Sequence, residues 1–348
     1  MRLRRSSIET PGITRRRRGT GFSYEDAAGK AVRDEETIER IRSLAIPPAW
    51  EEAWICADPL GHIQAAGTDA AGRQQYLYHA GWRVRRDAEK FDRMLAFARV
   101  LPRLRERVAR DLSLGGMPKD KTLACAVRLL DQGFFRVGSE SYAKQNGSFG
   151  LATLRKEHVK VQKDRIVFDF KAKSGVRRMQ TVNDPTVAPL VRTMKRRRSG
   201  GHELLAYREG RGWRDVRSSD INEYVRDAAG GEFTTKDFRT WHGTVLAAVF
   251  LATGDKDANG STSRKRIVSA SIREVAVYLG NTPAVARASY VDPRVVDRFE
   301  EGVTIAATLD RLPVDEPDEP TDAIFREGVE AAVLDLLLED PQPVTHAA

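Results

Sequence analysis

Two arginines, a lysine and a late tyrosine stand in four distinctive settings along this chain. Arg136 opens RVGSESYAKQNGSFG (136–150) and Lys173 lies in FDFKAKSG (168–175). Arg239 lies in KDFRTWHGT (236–244) and Tyr290 in LGNTPAVARASYVDP (279–293). Residues of these types can together attack a phosphodiester. The substrate is an anion, and attack on it builds a more negative pentacoordinate transition state. Guanidinium forks suit that species because they stay charged and bond two oxygens at once. A tyrosine hydroxyl, with an ordinary pKa of about 10, is a weak nucleophile at neutral pH. Cations that stabilise its phenolate turn it into a useful one.

These stretches resemble the type IB DNA topoisomerases, specifically their compact poxvirus and bacterial branch, and more distantly the tyrosine recombinases. The resemblance covers roughly residues 30–300, with the four motifs in the family's order and approximate spacing. It implies a role for each residue. Arg136 and Arg239 would hold the non-bridging oxygens of the scissile phosphate, and Tyr290 would attack it to give a 3′-phosphotyrosyl enzyme. Lys173 would be the general acid for the departing 5′-oxygen, a strong base whose protonation removes much of the barrier. Lys171 is the competing assignment, because strand alternation would put both lysines on one face. Asn281 occupies a position where the viral enzymes use histidine. Its amide can donate to an oxygen but can neither add charge nor shuttle a proton. Strand rotation about the uncut strand would relax supercoils, and resealing would need neither ATP nor a metal.

The same resemblance marks Gln75, Tyr76 and Tyr78, in GRQQYLYH, and Tyr142 as DNA contacts. Ordinary sheet aromatics remain the alternative for the strand tyrosines. Lys236 lies one helical turn before Arg239, within reach of the same phosphate, where many recombinases carry histidine. His242 matches no catalytic position of the family, which leaves it packing or a DNA-backbone role. The basic tract 195–198 and the triplet 264–266 are expected to face phosphates.

The elements that must position these residues suggest an α+β chain of two domains. Its 348 residues are 41% hydrophobic and can bury two cores. Residues 1–24 read as a basic flexible arm, with Arg15 to Arg18 in one block. Residues 25–85 read as a small β-rich DNA-clamp domain: a helix over 34–45 capped by Asp34, then strands at 53–57, 62–67 and 74–78. Residues 86–310 read as a larger, mainly α catalytic domain. It contains a short antiparallel sheet (158–161, 165–170, 176–182) with Lys173 at a hairpin tip, and a hairpin around Trp213. A mobile polar loop is expected at 254–266. Residues 311–348 read as an acidic linker followed by a helix over 322–338, either docked on the body or competing with DNA.

Charge is strongly segregated. Residues 311–348 carry two arginines against ten carboxylates, a net of −8, so the chain's +9 leaves +17 on residues 1–310. Such a body suits a polyanion, and double-stranded DNA is the expected partner of a monomer that clamps it. Cys56 and Cys125 form no disulfide framework or zinc spacing. No apolar run is long enough for a membrane and the N-terminus lacks a secretory h-region, so a cytoplasmic, nucleoid-associated protein is expected. Two rivals share part of the pattern. A tyrosine recombinase would use the same chemistry on paired sites. A non-enzymatic architectural protein would fit the +17 body but leave the Arg, Lys, Arg, Tyr series without a purpose.

Overall fold

The computed structural model describes residues 2–254, 261–311 and 328–338. The chain divides into two compact units, Met1–Asp92 and Arg93–Ala348. The division falls inside a long helix.

The first unit is built on one antiparallel sheet. Its strands are β1 (Ile13–Arg18), β2 (Gly21–Glu25), β3 (Glu51–Ile55), β4 (Ile63–Thr68) and β5 (Gln74–Tyr78), in spatial order β2-β1-β3-β4-β5. Helix α1 (Glu35–Ser43) carries Ile41 into the core with Ile13, Ile55 and Ala65. It starts where Asp34 accepts from the Thr37 amide at 2.9 Å, which satisfies one of the free donors of the first turn.

The expected flexible arm is instead the β1–β2 hairpin, with Arg15 opposite Tyr24 and Arg17 opposite Phe22. Charge repulsion within the arginine block is offset because the pleat separates the side chains and each side offers partners. Arg15 donates to the carbonyls of Ile46, Pro47 and Trp50 at 3.0, 3.0 and 2.7 Å and lies 4.2 Å over the Phe22 ring. Arg16 pairs with Glu25 at 3.2 Å. Gly19, at φ +58°, makes the tight turn.

Helix α2 (Ala80–Leu112) leads into the second unit, followed by α3 (Lys119–Gly133) and α4 (Glu140–Asn146). A three-stranded antiparallel sheet then runs β6 (Val159–Gln162), β7 (Arg165–Lys171), β8 (Arg177–Asn183). Next come α5 (Val187–Arg196), the hairpin β9 (Ala206–Glu209) and β10 (Gly212–Asp215), and α6 (Ser218–Ala229). Helix α7 (Thr235–Gly254) is buried almost along its whole length, as a helix apolar on most faces must be. Around it pack α8 (Ser261–Leu279), α9 (Pro283–Tyr290), α10 (Pro293–Glu300), α11 (Ala306–Leu309) and α12 (Val329–Leu338).

Two further expectations change, and one of two alternatives is decided. Residues 261–266 belong to α8 rather than to a loop, since arginine and lysine are good helix formers; residues 255–260 lie outside the described residues. The tract 195–198 is not wholly turned to solvent. Arg197 is buried and donates to the carbonyls of Met194 and Leu204 and to Asp215. Helix α12 is docked, burying Val329, Val333, Leu336 and Leu337, with Glu330 bonded to Trp241 Nε1 at 3.0 Å. The part of the expected helix over 322–327 lies outside the described residues.

Candidate active site

Arg136 is aimed by the turn that ends α3. Phe134 adopts φ +53°, a left-handed conformation uncommon for a bulky residue, and its ring packs edge-on to His242. The chain then runs against a second segment of the same motif. The Leu151 and Ala152 amides donate to Arg136 O and Val137 O, both at 2.8 Å. Gly138 and Gly150 make this crossing possible, since a Cβ on Gly150 would lie 2.5 Å from Gly138 Cα. The spacing of glycines in RVGSESYAKQNGSFG thus has a packing cause.

Lys173 begins the turn between β7 and β8. Strand β7 ends at Lys171, so strand alternation does not extend to Lys173, and Ser174 at φ +63° and Gly175 at φ +77° then reverse the backbone. Lys173 lines a hollow with Arg136, Arg239 and Tyr290, whereas Lys171 does not. Arg239, one turn into α7, is buried. It donates to Phe134 O at 2.5 Å and to Leu279 O at 2.8 Å. Asn281 follows the C-terminal end of α8. Its Oδ1 accepts from Arg136 Nη2, leaving its buried Nδ2 without a partner among the described residues.

Tyr290 is the last residue of α9, which Thr282 caps and Pro283 opens. Its carbonyl accepts from Thr244 Oγ1 of α7 at 3.3 Å. Gly243 allows that approach, since a Cβ there would stand 2.6 Å from Tyr290 O. The Arg239 guanidinium lies 5.0 Å from the Tyr290 ring centroid. Burial alone would push the phenol pKa up. The charges of Arg239, Arg136 and Lys173 outweigh it and bring the pKa below its ordinary value. Burial lowers the pKa of Arg136 and Arg239, and in Arg239 the Arg136 charge adds to it.

One cavity of about 390 Å³ collects five elements: Arg136, Lys173, Arg239 and Tyr290 with Tyr142 of α4 and Lys236 of α7. In the first unit the strand tyrosines and Gln75 separate. Tyr76 and Tyr78 stack 6.1 Å apart on one face of β5, each 37% exposed. Gln75 alternates to the other face and donates to Asp69 at 2.9 Å. His242 is fully buried 3.0 Å from Asp131, which makes it a packing residue rather than a backbone contact. Arg178 was not singled out from sequence, yet it lies beside this corner. Its signal was alternation from the Lys173 turn: Arg177 faces out to Asp169, so Arg178 faces in.

Cations around a half-buried tyrosine, with carbonyls rather than carboxylates holding them, make an arrangement able to carry out transesterification on a nucleic-acid phosphodiester. The comparisons agree. Residues 79–308 match the family described as eukaryotic DNA topoisomerase I, catalytic core, and residues 21–69 the bacterial DNA topoisomerase IB, N-terminal domain. DNA topoisomerase 1B of Acanthamoeba polyphaga mimivirus is 33% identical over 285 residues, 80% of this chain and 85% of the relative. DNA topoisomerase 1B of Vaccinia virus (strain Copenhagen) is 22% identical over 276 residues, 77% and 83% of the two chains. DNA topoisomerase 1 of Rabbit fibroma virus (strain Kasza) is 22% identical over 313 residues, 85% and 94%. The chain belongs to the type IB DNA topoisomerases, on the poxvirus and bacterial side of that family. It is an isomerase that acts on DNA, and the recombinase and architectural readings are set aside.

Proposed function

We propose that Tyr290 is the nucleophile of this topoisomerase, with Arg136, Arg239 and Asn281 holding the scissile phosphate and Lys173 serving as general acid. The observation that carries the reading is the 390 Å³ cavity onto which both arginines, Lys173 and Tyr290 converge from separate elements. The unpartnered Nδ2 of Asn281 supports it as well. With Oδ1 held by Arg136, the amide has a donor left for a non-bridging oxygen.

Tyr290 Oη attacks phosphorus while the bond from phosphorus to the 5′-oxygen breaks. The phenolic proton passes to water, and Lys173 Nζ gives a proton to the departing oxygen. The products are a 3′-phosphotyrosyl link and a free 5′-hydroxyl. Resealing runs backwards, with the 5′-hydroxyl returning its proton to Lys173 and Tyr290 leaving as phenolate. Each step exchanges one phosphoester bond for another, so the cycle needs no ATP. The guanidiniums offset the developing charge, and the reading uses no metal. Tyr142 and Lys236 would take phosphates beside the cleavage site. Tyr76 and Tyr78, with Gln75 on the opposite strand face, would contact the duplex from the N-terminal unit of a monomeric clamp working at the nucleoid.

The test is relaxation of a supercoiled plasmid without magnesium or ATP, with covalent adducts trapped by denaturant. Tyr290→Phe should bind DNA normally and lose adduct and relaxation by at least about 10⁴-fold. A denaturant-stable adduct in that variant would mean another nucleophile and end the proposal.

A further inference from the structure

Arg178 lies outside the reaction just described, yet its guanidinium shares the corner where Arg136 and Arg239 are held. Along β8 its neighbour Arg177 faces solvent and is engaged by Asp169 at 2.7 Å, and alternation turns Arg178 inward. Its Nη2 donates to Gln180 Oε1 at 2.9 Å and to the Tyr278 carbonyl, while its buried Nε has no partner among the described residues. The fit is close: a Cβ on Gly280 would stand 2.0 Å from Arg178 Nη1. Burial, then the charges of Arg239 and Arg136, push its pKa down to about 10.

A third cation beside two others needs an attractive partner, and the end of α8 supplies it. Tyr278 O accepts from Arg178, Leu279 O from Arg239 and Gly280 O from Arg136. Carbonyls at a helix C-terminus lack intrahelical donors and carry partial negative charge. Arg178 differs from the other two in what it fastens. It sits on the strand that leaves the Lys173 turn, and that turn is poorly covered: Lys173, Ser174 and Gly175 are exposed, and Val176 and Met179 are 64% and 66% exposed. One bond on the β7 side, from Phe149 N to Lys171 O at 2.8 Å, ties it to the body. Arg178 supplies the tie on the β8 side. Lys173 and Arg178 also face one cavity of about 430 Å³ with Arg136 and Gly280.

We propose that Arg178 is a positioning residue for Lys173: by fastening β8 to the C-terminal carbonyls of α8, it fixes the lysine ammonium relative to the two catalytic arginines. The inference rests on the reading of Lys173 as general acid. The lysine stem is long and flexible, so its ability to protonate depends on where the hairpin is held.

The experiment is single-turnover cleavage by the full chain of duplexes carrying either oxygen or sulphur at the bridging 5′-position. A thiolate departs without protonation, so sulphur masks a lesion in the acid step. Arg178→Met should slow cleavage of ordinary DNA by about ten- to a hundredfold and return to within about threefold of the parent enzyme on the sulphur duplex. Arg178→Lys, which keeps the charge but not the fork, should behave like Arg178→Met. Asn281→Ala should be slowed equally on both duplexes. Equal slowing of Arg178→Met on both, no slowing, or full recovery in Arg178→Lys would overturn the proposal. Lys173→Ala is run beside them. If it is not rescued, the acid assignment fails and takes this one with it; if it is rescued and Arg178→Met is not, Arg178 alone is misassigned. Should Arg178→Met not fold, Gln180→Ala removes one acceptor of the fork. It should show a rescuable defect of about threefold, and a defect that is absent or not rescued counts against the proposal.

Discussion

Helix α7 lends side chains to two buried electrostatic sites built on opposite principles. Around His242 the cation is matched by carboxylates. Arg105 donates to Asp131 at 2.8 and 3.0 Å and to Glu330 of α12 at 2.5 and 3.1 Å, and His242 Nε2 lies 3.0 Å from Asp131. Burial alone would lower the Arg105 pKa, but Asp131 and Glu330 raise it above the ordinary value; Asp131 in turn is held well below the usual carboxylate range despite its burial. Around Arg239 the described residues offer the cations backbone carbonyls, the amide oxygens of Asn281 and Gln180 and the Tyr290 side chain, and no carboxylate. Burial and mutual repulsion lower the pKa of Arg239 and Arg178. In the first site the cation is neutralised, and its two carboxylate partners bind the C-terminal helix to the body. The second keeps its positive charge, as the proposed grip on a phosphate requires. A buried guanidinium without a carboxylate is costly in the free protein, and a phosphate recovers that cost when it binds.

Exchanging the lesions tests the contrast most strongly. Arg239→Ala should slow single-turnover cleavage about 10³-fold, with a smaller loss of stability than Arg105→Ala. Arg105→Ala leaves Asp131 and Glu330 without their cation and should cost about 3–5 kcal/mol in denaturant unfolding, with cleavage per folded molecule within about threefold. The reverse pattern would break the comparison. Asn281→Asp converts the second site toward the first by placing a carboxylate against Arg136. Cleavage should fall about a hundredfold while the thermal midpoint rises, and a fall in both would show that the charge there is not held in reserve.

Gly243→Ala leaves every charge in place and displaces the Tyr290 backbone, since its Cβ would meet Tyr290 O at 2.6 Å. Cleavage should drop about tenfold, with about 1–3 kcal/mol of stability lost. Normal cleavage by a folded variant would mean that the α7–Tyr290 contact does not set the nucleophile's position. The smallest effect is a shift of pH profile. The cations lower the Tyr290 pKa, so a rate limited by phenolate should rise with pH and level off below about pH 10. Removing a positive charge disfavours the phenolate, so Arg136→Ala should level off at a higher pH than the parent. An unmoved inflection would show that another group controls the rise.

Much of the fold was legible because it is written in local pattern. The Asp34 cap, the three strands after Pro48, the β6–β8 sheet and the Lys173 turn all lie where period and turn residues place them. Errors fell where long-range partners decide. The arginine block 15–18 reads as a solvated arm until Ile46, Pro47 and Trp50 supply acceptors for Arg15. Arg197 reads as a phosphate contact until Asp215 and the carbonyls of Met194, Gly201, Glu203 and Leu204 enclose it.

The amino-acid sequence determined which groups this chain offers for the proposed chemistry: two cations, a lysine at a turn, an amide, and a tyrosine ending a short helix. These follow from residue type and local spacing, which a linear chain displays directly. Tertiary structure decided their company. The end of α8 receives Arg136 and Arg178 from positions 144 and 100 residues away, and places Asn281 against the first. No local pattern specifies that meeting, because it arises from packing the Lys173 hairpin, α7 and α8 around one helix terminus whose free carbonyls can hold several guanidiniums without cancelling their charge.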